Sequence, residues 1–137
     1  MDDIEAIRQL KARYFRTMDT KDWVAMREVF TDDVIVDTSE AGGSTVRGGD
    51  EFISFLQNVL SGAVTVHQGH MPEIELTSST TANGIWALND LVIWPDGTRL
   101  VGYGHYHETY VKVGEEWRIK SSKLTRLHTD LHPPGTN

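Results

Sequence analysis

Apolar residues recur at Ile4, Ile7, Leu10, Tyr14, Phe15 and Met18, the stripe of an amphipathic helix that ends near Asp19 and Thr20. Asp22 is then a good N-cap for a short second helix over 23–30, with Trp23, Met26 and Phe30 on its buried side. Residues 33–37 read as a short strand. Gly42-Gly43 and Gly48-Gly49 bracket a loop with a short strand at Thr45-Val46. Gly49 or Asp50 caps a third helix carrying Phe52, Phe55, Leu56 and Val59 on one face. From Val64 onward the period changes from 3.6 to 2, and four long strands are expected at 64–77, 80–94, 98–113 and 116–128. Turn-forming residues separate them: Ser78-Ser79, Pro95-Asp96-Gly97 and Gly114-Glu115.

Short connections make neighbouring strands antiparallel, and helices followed by a sheet point to an α+β fold. Alternation assigns faces. In 98–113, Val101, Tyr103, His105, His107 and Thr109 project one way, and Gly102, Gly104 and Tyr106 the other. Two glycines on one face let a neighbouring element approach closely. In 80–94, Trp86, Leu88, Asp90, Val92 and Trp94 share a face, while Ile85, Ala87, Leu91 and Ile93 make the opposite one apolar as well. A strand apolar on both sides is covered on both sides, here by helices and by another subunit.

Composition narrows the function classes. The 137 residues fit one domain, 1–137, with residues 129–137 expected as an extended tail. A net charge of −7 offers no basic stripe for nucleic acid, and the absence of cysteine excludes disulfides, thiolate zinc sites and iron–sulfur clusters. No apolar run is long enough for a membrane helix and the first residues are acidic, so the expected location is the cytoplasm. Glycine-rich phosphate loops and the G-x-S-x-G motif are missing, and no cofactor is expected.

Against this background a few ionisable residues stand in costly places. Asp90 interrupts the apolar stretch 85–94, as a member of a buried network or as a perturbed carboxyl facing a cavity. His67 lies within the strand Val64-Thr65-Val66-His67-Gln68-Gly69-His70, as a satisfied structural residue or as a general base. Asp19 ends the first helix, as a cap or as the carboxylate that orients that base. Tyr14 is a core aromatic with a hydroxyl to place. His105 and His107 share a face and His67 and His70 form H-x-x-H, but no familiar metal cage results, and no metal is expected.

Four segments carry a resemblance: 14–23 (Tyr-Phe-Arg-Thr-Met-Asp-Thr-Lys-Asp-Trp), 65–70 (Thr-Val-His-Gln-Gly-His), 104–110 (Gly-His-Tyr-His-Glu-Thr-Tyr) and 117–119 (Trp-Arg-Ile). With the helix–sheet order they resemble the SnoaL-like branch of the nuclear transport factor 2 superfamily, in particular the group of scytalone dehydratase, bile-acid 7α-dehydratase and hexachlorocyclohexane dehydrochlorinase. The resemblance implies a cone-shaped, cystatin-like α+β barrel of three N-terminal helices on a curved, mainly antiparallel sheet. It implies Asp19 and His67 as a catalytic dyad, Tyr14 and Asp90 as pocket residues, and His105 as a second histidine from the sheet. The activity it implies is a cofactor-free dehydratase, lyase or isomerase acting on a small hydrophobic cyclic molecule such as a steroid, polyketide or aromatic-ring precursor. A non-catalytic binding or assembly module of the same fold is the alternative. Trp86, Trp94, Phe55 and Met71 are candidate walls. A homo-oligomer through the outer sheet face is expected, a trimer by analogy with the dehydratases and a dimer by analogy with the wider superfamily.

Overall fold

In the computed structural model, which describes residues 1–135, helix α1 (Asp3–Asp19) begins where the Asp2 carboxylate accepts the Glu5 N–H at 2.8 Å. It buries Ile7, Leu10, Tyr14 and Met18, the stripe legible in the sequence. Its end is a Schellman motif: the Asp22 N–H donates to the Thr17 carbonyl at 2.8 Å and the Lys21 N–H to that of Met18 at 3.1 Å. Asp22 then caps α2 (Trp23–Arg27) through the Ala25 N–H. This helix stops one turn short of the expected 23–30. Phe30 instead opens β1 (Phe30–Asp37), because it sits fully buried opposite Ile119 of the last strand.

The chain continues through β2 (Thr45–Arg47), α3 (Gly49–Leu60), β3 (Val64–Leu76), β4 (Thr81–Ile93), β5 (Arg99–Val113) and β6 (Glu116–His132). The six strands form one sheet in the order β2-β1-β6-β5-β4-β3, antiparallel throughout except for the parallel pair β1 and β6. Thr129–His132 were expected in the tail. They extend β6 instead, with His132 opposite Arg99, because β5 is long enough to pair with them. Residues 136 and 137 of that expected tail lie outside the described residues.

Period-2 burial orients the sheet. On β4, Ala82, Gly84, Trp86, Leu88, Asp90 and Val92 are buried; on β5 the same phase runs from Gly102 to Tyr110. The helices cover this inner face, and the core there includes Ile7, Leu10, Met26, Phe30, Val34 and Ile119. The outer face carries Val66, Ile85, Tyr103 and Leu127, the last 75% exposed. The Gly48 N–H donates to the Val34 carbonyl at 2.7 Å, tying the start of α3 to β1. Among the described residues no helix is long and apolar enough to cross a membrane.

Candidate active site

Asp19 is the last residue of α1, and its carboxylate reaches β3 at three points. Oδ1 lies 2.7 Å from His67 Nδ1 and accepts the Thr65 hydroxyl at 2.9 Å; Oδ2 accepts the His67 backbone N–H at 2.8 Å. Anchored by both main chain and ring, the carboxylate fixes the imidazole orientation. A carboxylate at Nδ1 places the proton of a neutral imidazole on that nitrogen, leaving the Nε2 lone pair free. The His67 side chain is 8% exposed, so this Nε2 faces a largely dry site.

The next strand supplies Asp90, directly opposite His67 in the β3–β4 register and therefore on the same face. Both of its oxygens are taken by Arg126 of β6, in a two-pronged pair with Nη1–Oδ1 at 2.6 Å and Nη2–Oδ2 at 3.0 Å. Gly102 of the intervening β5 makes this reach possible, since a Cβ there would collide with the guanidinium and with Asp90. Arg126 was missed by the sequence reading. Its signal was present: a carboxylate in an apolar run needs a cation, and the inward Gly102 and Gly104 leave a corridor for one from the neighbouring strand.

Tyr14 stands on the inner side of α1 with its ring edge-on to Phe15, Phe30 and Tyr106. The Tyr14 and Tyr106 ring centroids lie 5.8 Å apart. Burial, then the Glu108 carboxylate, push the Tyr14 pKa well above its ordinary value; burial likewise raises Tyr106. Both phenols therefore remain protonated and serve as donors. Behind them lies Lys11, fully buried, its ammonium 3.6 Å from the centroid of each phenol ring and 2.8 Å from Glu108 Oε2. Glu108 also accepts the hydroxyls of Ser122 and Tyr110, each at 2.8 Å, and the Trp86 indole donates to the Tyr110 oxygen at 2.9 Å. Desolvation lowers the Lys11 pKa, opposed by Glu108.

His67, Asp90, Tyr14 and Tyr106 converge on one cavity of about 110 Å³, lined also by Met18, Val36, Thr38, Phe52, Phe55, Leu56, Leu60, Ser122 and Leu124. His105 is not among them. It lies on the outer phase of β5, its ring 6.3 Å from that of His107, because strand alternation places it opposite Tyr106. The sequence paired these two faces correctly without saying which one pointed inward. Of the candidate walls, Phe55 lines the cavity, whereas Trp86 is buried on the inner sheet face without lining it. Met71 is 90% exposed at a bulge in β3, and the Trp94 indole turns away to the Val59 carbonyl at 3.3 Å.

An α+β cone of three helices on the inner face of a mainly antiparallel sheet is a cystatin-like fold. The chain belongs to the SnoaL-like domain family, whose model matches residues 1–123. It is 26% identical to a probable cyclase, FGR4, of Gibberella zeae, over 91% of each protein. Its fold is similar to the crystal structure of a candidate scytalone dehydratase of Novosphingobium aromaticivorans (TM-score 0.83, 22% identity, 98% of this chain and 95% of that one). It is similar too to the hexachlorocyclohexane dehydrochlorinase LinA-type3 of Novosphingobium barchaimii (TM-score 0.83, 17% identity, 97% and 91%).

Proposed function

We propose that this protein is a cofactor-free lyase or isomerase in which His67 is the general base, acting on a small hydrophobic cyclic carbonyl compound. The observation that carries this reading is the 2.7 Å contact between His67 Nδ1 and Asp19 Oδ1, in a side chain whose Nε2 has no protein partner among the described residues and which lines an apolar cavity. Nε2 takes a proton from the carbon beside the carbonyl; the C–H electron pair becomes the C=C bond of the enolate as the carbonyl π pair moves onto oxygen. Asp19 stabilises the resulting imidazolium and holds its orientation. Tyr14, which lines the cavity beside His67, donates to the developing oxyanion. In an elimination the enolate then collapses, the bond to a β-hydroxyl breaks, and the imidazolium returns the proton to that leaving oxygen as water departs. In an isomerisation the proton returns to a different carbon. Asp90 and Arg126 neutralise each other, so the pocket favours a neutral substrate.

Size supports a narrower class. A cavity of about 110 Å³ is comparable with engineered cavities that take up one benzene ring, which favours a single-ring substrate over a steroid. His67→Ala is expected to lower turnover of its best substrate in a panel of monocyclic β-hydroxy ketones by about 10²–10⁴-fold. A rate equal to wild type on that substrate contradicts the assignment.

We also infer a homo-oligomer, a trimer, formed through the outer sheet face, where Val66, Ile85, Tyr103 and Leu127 are exposed. Light scattering at micromolar concentration is expected to give three times the 15.4 kDa chain mass. A species at the chain mass itself overturns the inference.

A further inference from the structure

We propose that Lys21 is a positioning residue of the Asp19–His67 pair, acting through the hydroxyl of Thr65; the proposal rests on the dyad reading above. Two independent observations carry it. The first is backbone conformation. Lys21 is the residue immediately after the cap of α1, with φ of 60°, a left-handed position that glycine usually fills. Side chains other than glycine and asparagine are disfavoured there, so a lysine is held against local preference.

The second is a directed chain of hydrogen bonds. Lys21 Nζ lies 2.9 Å from Thr65 Oγ1, and Thr65 Oγ1 lies 2.9 Å from Asp19 Oδ1. An ammonium has donors and no acceptor, so the threonine oxygen must accept from Lys21. Its one hydroxyl proton is then committed to Asp19 Oδ1, the same oxygen that faces His67 Nδ1 at 2.7 Å. Thr65 is buried, with 5% of its surface exposed, so water is a poor substitute for either partner. Asp19 also occupies the C-terminal end of α1, where the helix dipole disfavours a negative charge and favours a nearby cation. Lys21 supplies that cation and, through Thr65, sets how much of the Oδ1 lone-pair capacity is left for the histidine. With the relay removed, Asp19 becomes a stronger acceptor for His67, and the imidazolium gains stability.

The groups bearing on His67 come from every side of the site. They are Asp19 and Tyr14 from α1, Lys21 from the turn after it, Asp90 from β4, Tyr106 from β5 and Arg126 from β6. A relay must therefore be separated from simple loss of a nearby charge, and a double-mutant cycle does this.

The test uses the full chain labelled with ¹⁵N histidine, with the His67 protonation midpoint and ring-nitrogen shifts read by NMR in wild type, K21M, K21G, T65V and K21M/T65V. The relay predicts that K21M, K21G and T65V each raise the midpoint by about half a unit, roughly threefold in proton affinity. It also predicts that the double variant shifts no further than T65V alone. Glycine relieves the left-handed backbone, so K21G is expected to fold at least as stably as wild type. An unchanged His67 midpoint in K21G overturns the proposal. So does a double variant whose shift is the sum of the two singles, which marks a through-space charge effect only. No substrate enters this experiment, so its failure is distinct from failure of the elimination reading. An inert ketone panel beside an altered His67 in K21G refutes the reaction and leaves the relay standing.

Discussion

Asp19→Asn is expected to reduce turnover by about 10³–10⁴-fold while leaving the fold intact. The substitution is nearly isosteric, and the single amide oxygen can still accept either from the His67 backbone N–H, in the Oδ2 position, or from Thr65, in the Oδ1 position. Nδ1 loses its carboxylate. An amide nitrogen turned toward Nδ1 donates to it, which drives the ring proton to Nε2 and removes the lone pair facing the cavity. With the other amide orientation the tautomer survives, yet the imidazolium formed during proton transfer has no counter-charge. Either route disables the base. The matching measurement is turnover beside thermal unfolding of the same preparation. Normal unfolding with a severe loss of rate fits the dyad, whereas unimpaired turnover on the best substrate contradicts it.

The largest stability effect is expected at Lys11, far from any surface. Lys11→Met strands Glu108 as a buried carboxylate whose remaining donors among the described residues are the hydroxyls of Tyr110 and Ser122. Breaking a buried ion pair on one side costs about 3–5 kcal/mol, a fall in Tm on the order of 10–20 °C for a chain of this size. The double variant Lys11→Met, Glu108→Gln leaves no buried charge and is expected to recover much of that loss. The pH dependence has a definite sign. In the single variant the unpaired Glu108 is relieved by protonation, so the deficit relative to wild type shrinks as the pH is lowered toward the carboxylate range. A single variant within about 1 kcal/mol of wild type at neutral pH rules out this account of the pair. The same ammonium packs on Tyr14 and Tyr106, so it also holds the two phenols in place under the cavity.

Much of this arrangement was legible in the sequence because burial imposes simple periods. The α1 stripe, the alternation of β4 and β5, and the turn residues between strands together specify helices packed on an antiparallel sheet. The Asp19–His67 contact was legible for a different reason, since a carboxylate at a helix end and a histidine in a strand become informative once the family pattern joins them. What stayed hidden depended on distance along the chain. Phe30 was assigned to a helix because nothing nearby reveals that Ile119 would pair beside it. Arg126 and Asp90 are thirty-six residues apart and meet only across Gly102. Lys11, an ordinary surface residue by type, sits inside because Glu108 and three aromatic rings receive it. His105 shows the limit of alternation, which pairs residues by face and leaves open which face is inside.

In the proposed reaction His67 removes a proton from carbon. Its most direct measurement is exchange in D2O: the wild-type protein is incubated with the panel of monocyclic β-hydroxy ketones, and deuterium at the carbon beside the carbonyl is followed together with loss of water. Protein-dependent deuteration or elimination is expected for at least one compound, abolished in His67→Ala. Deuteration or elimination proceeding equally with wild type and His67→Ala, or absent across the panel with wild type, contradicts it.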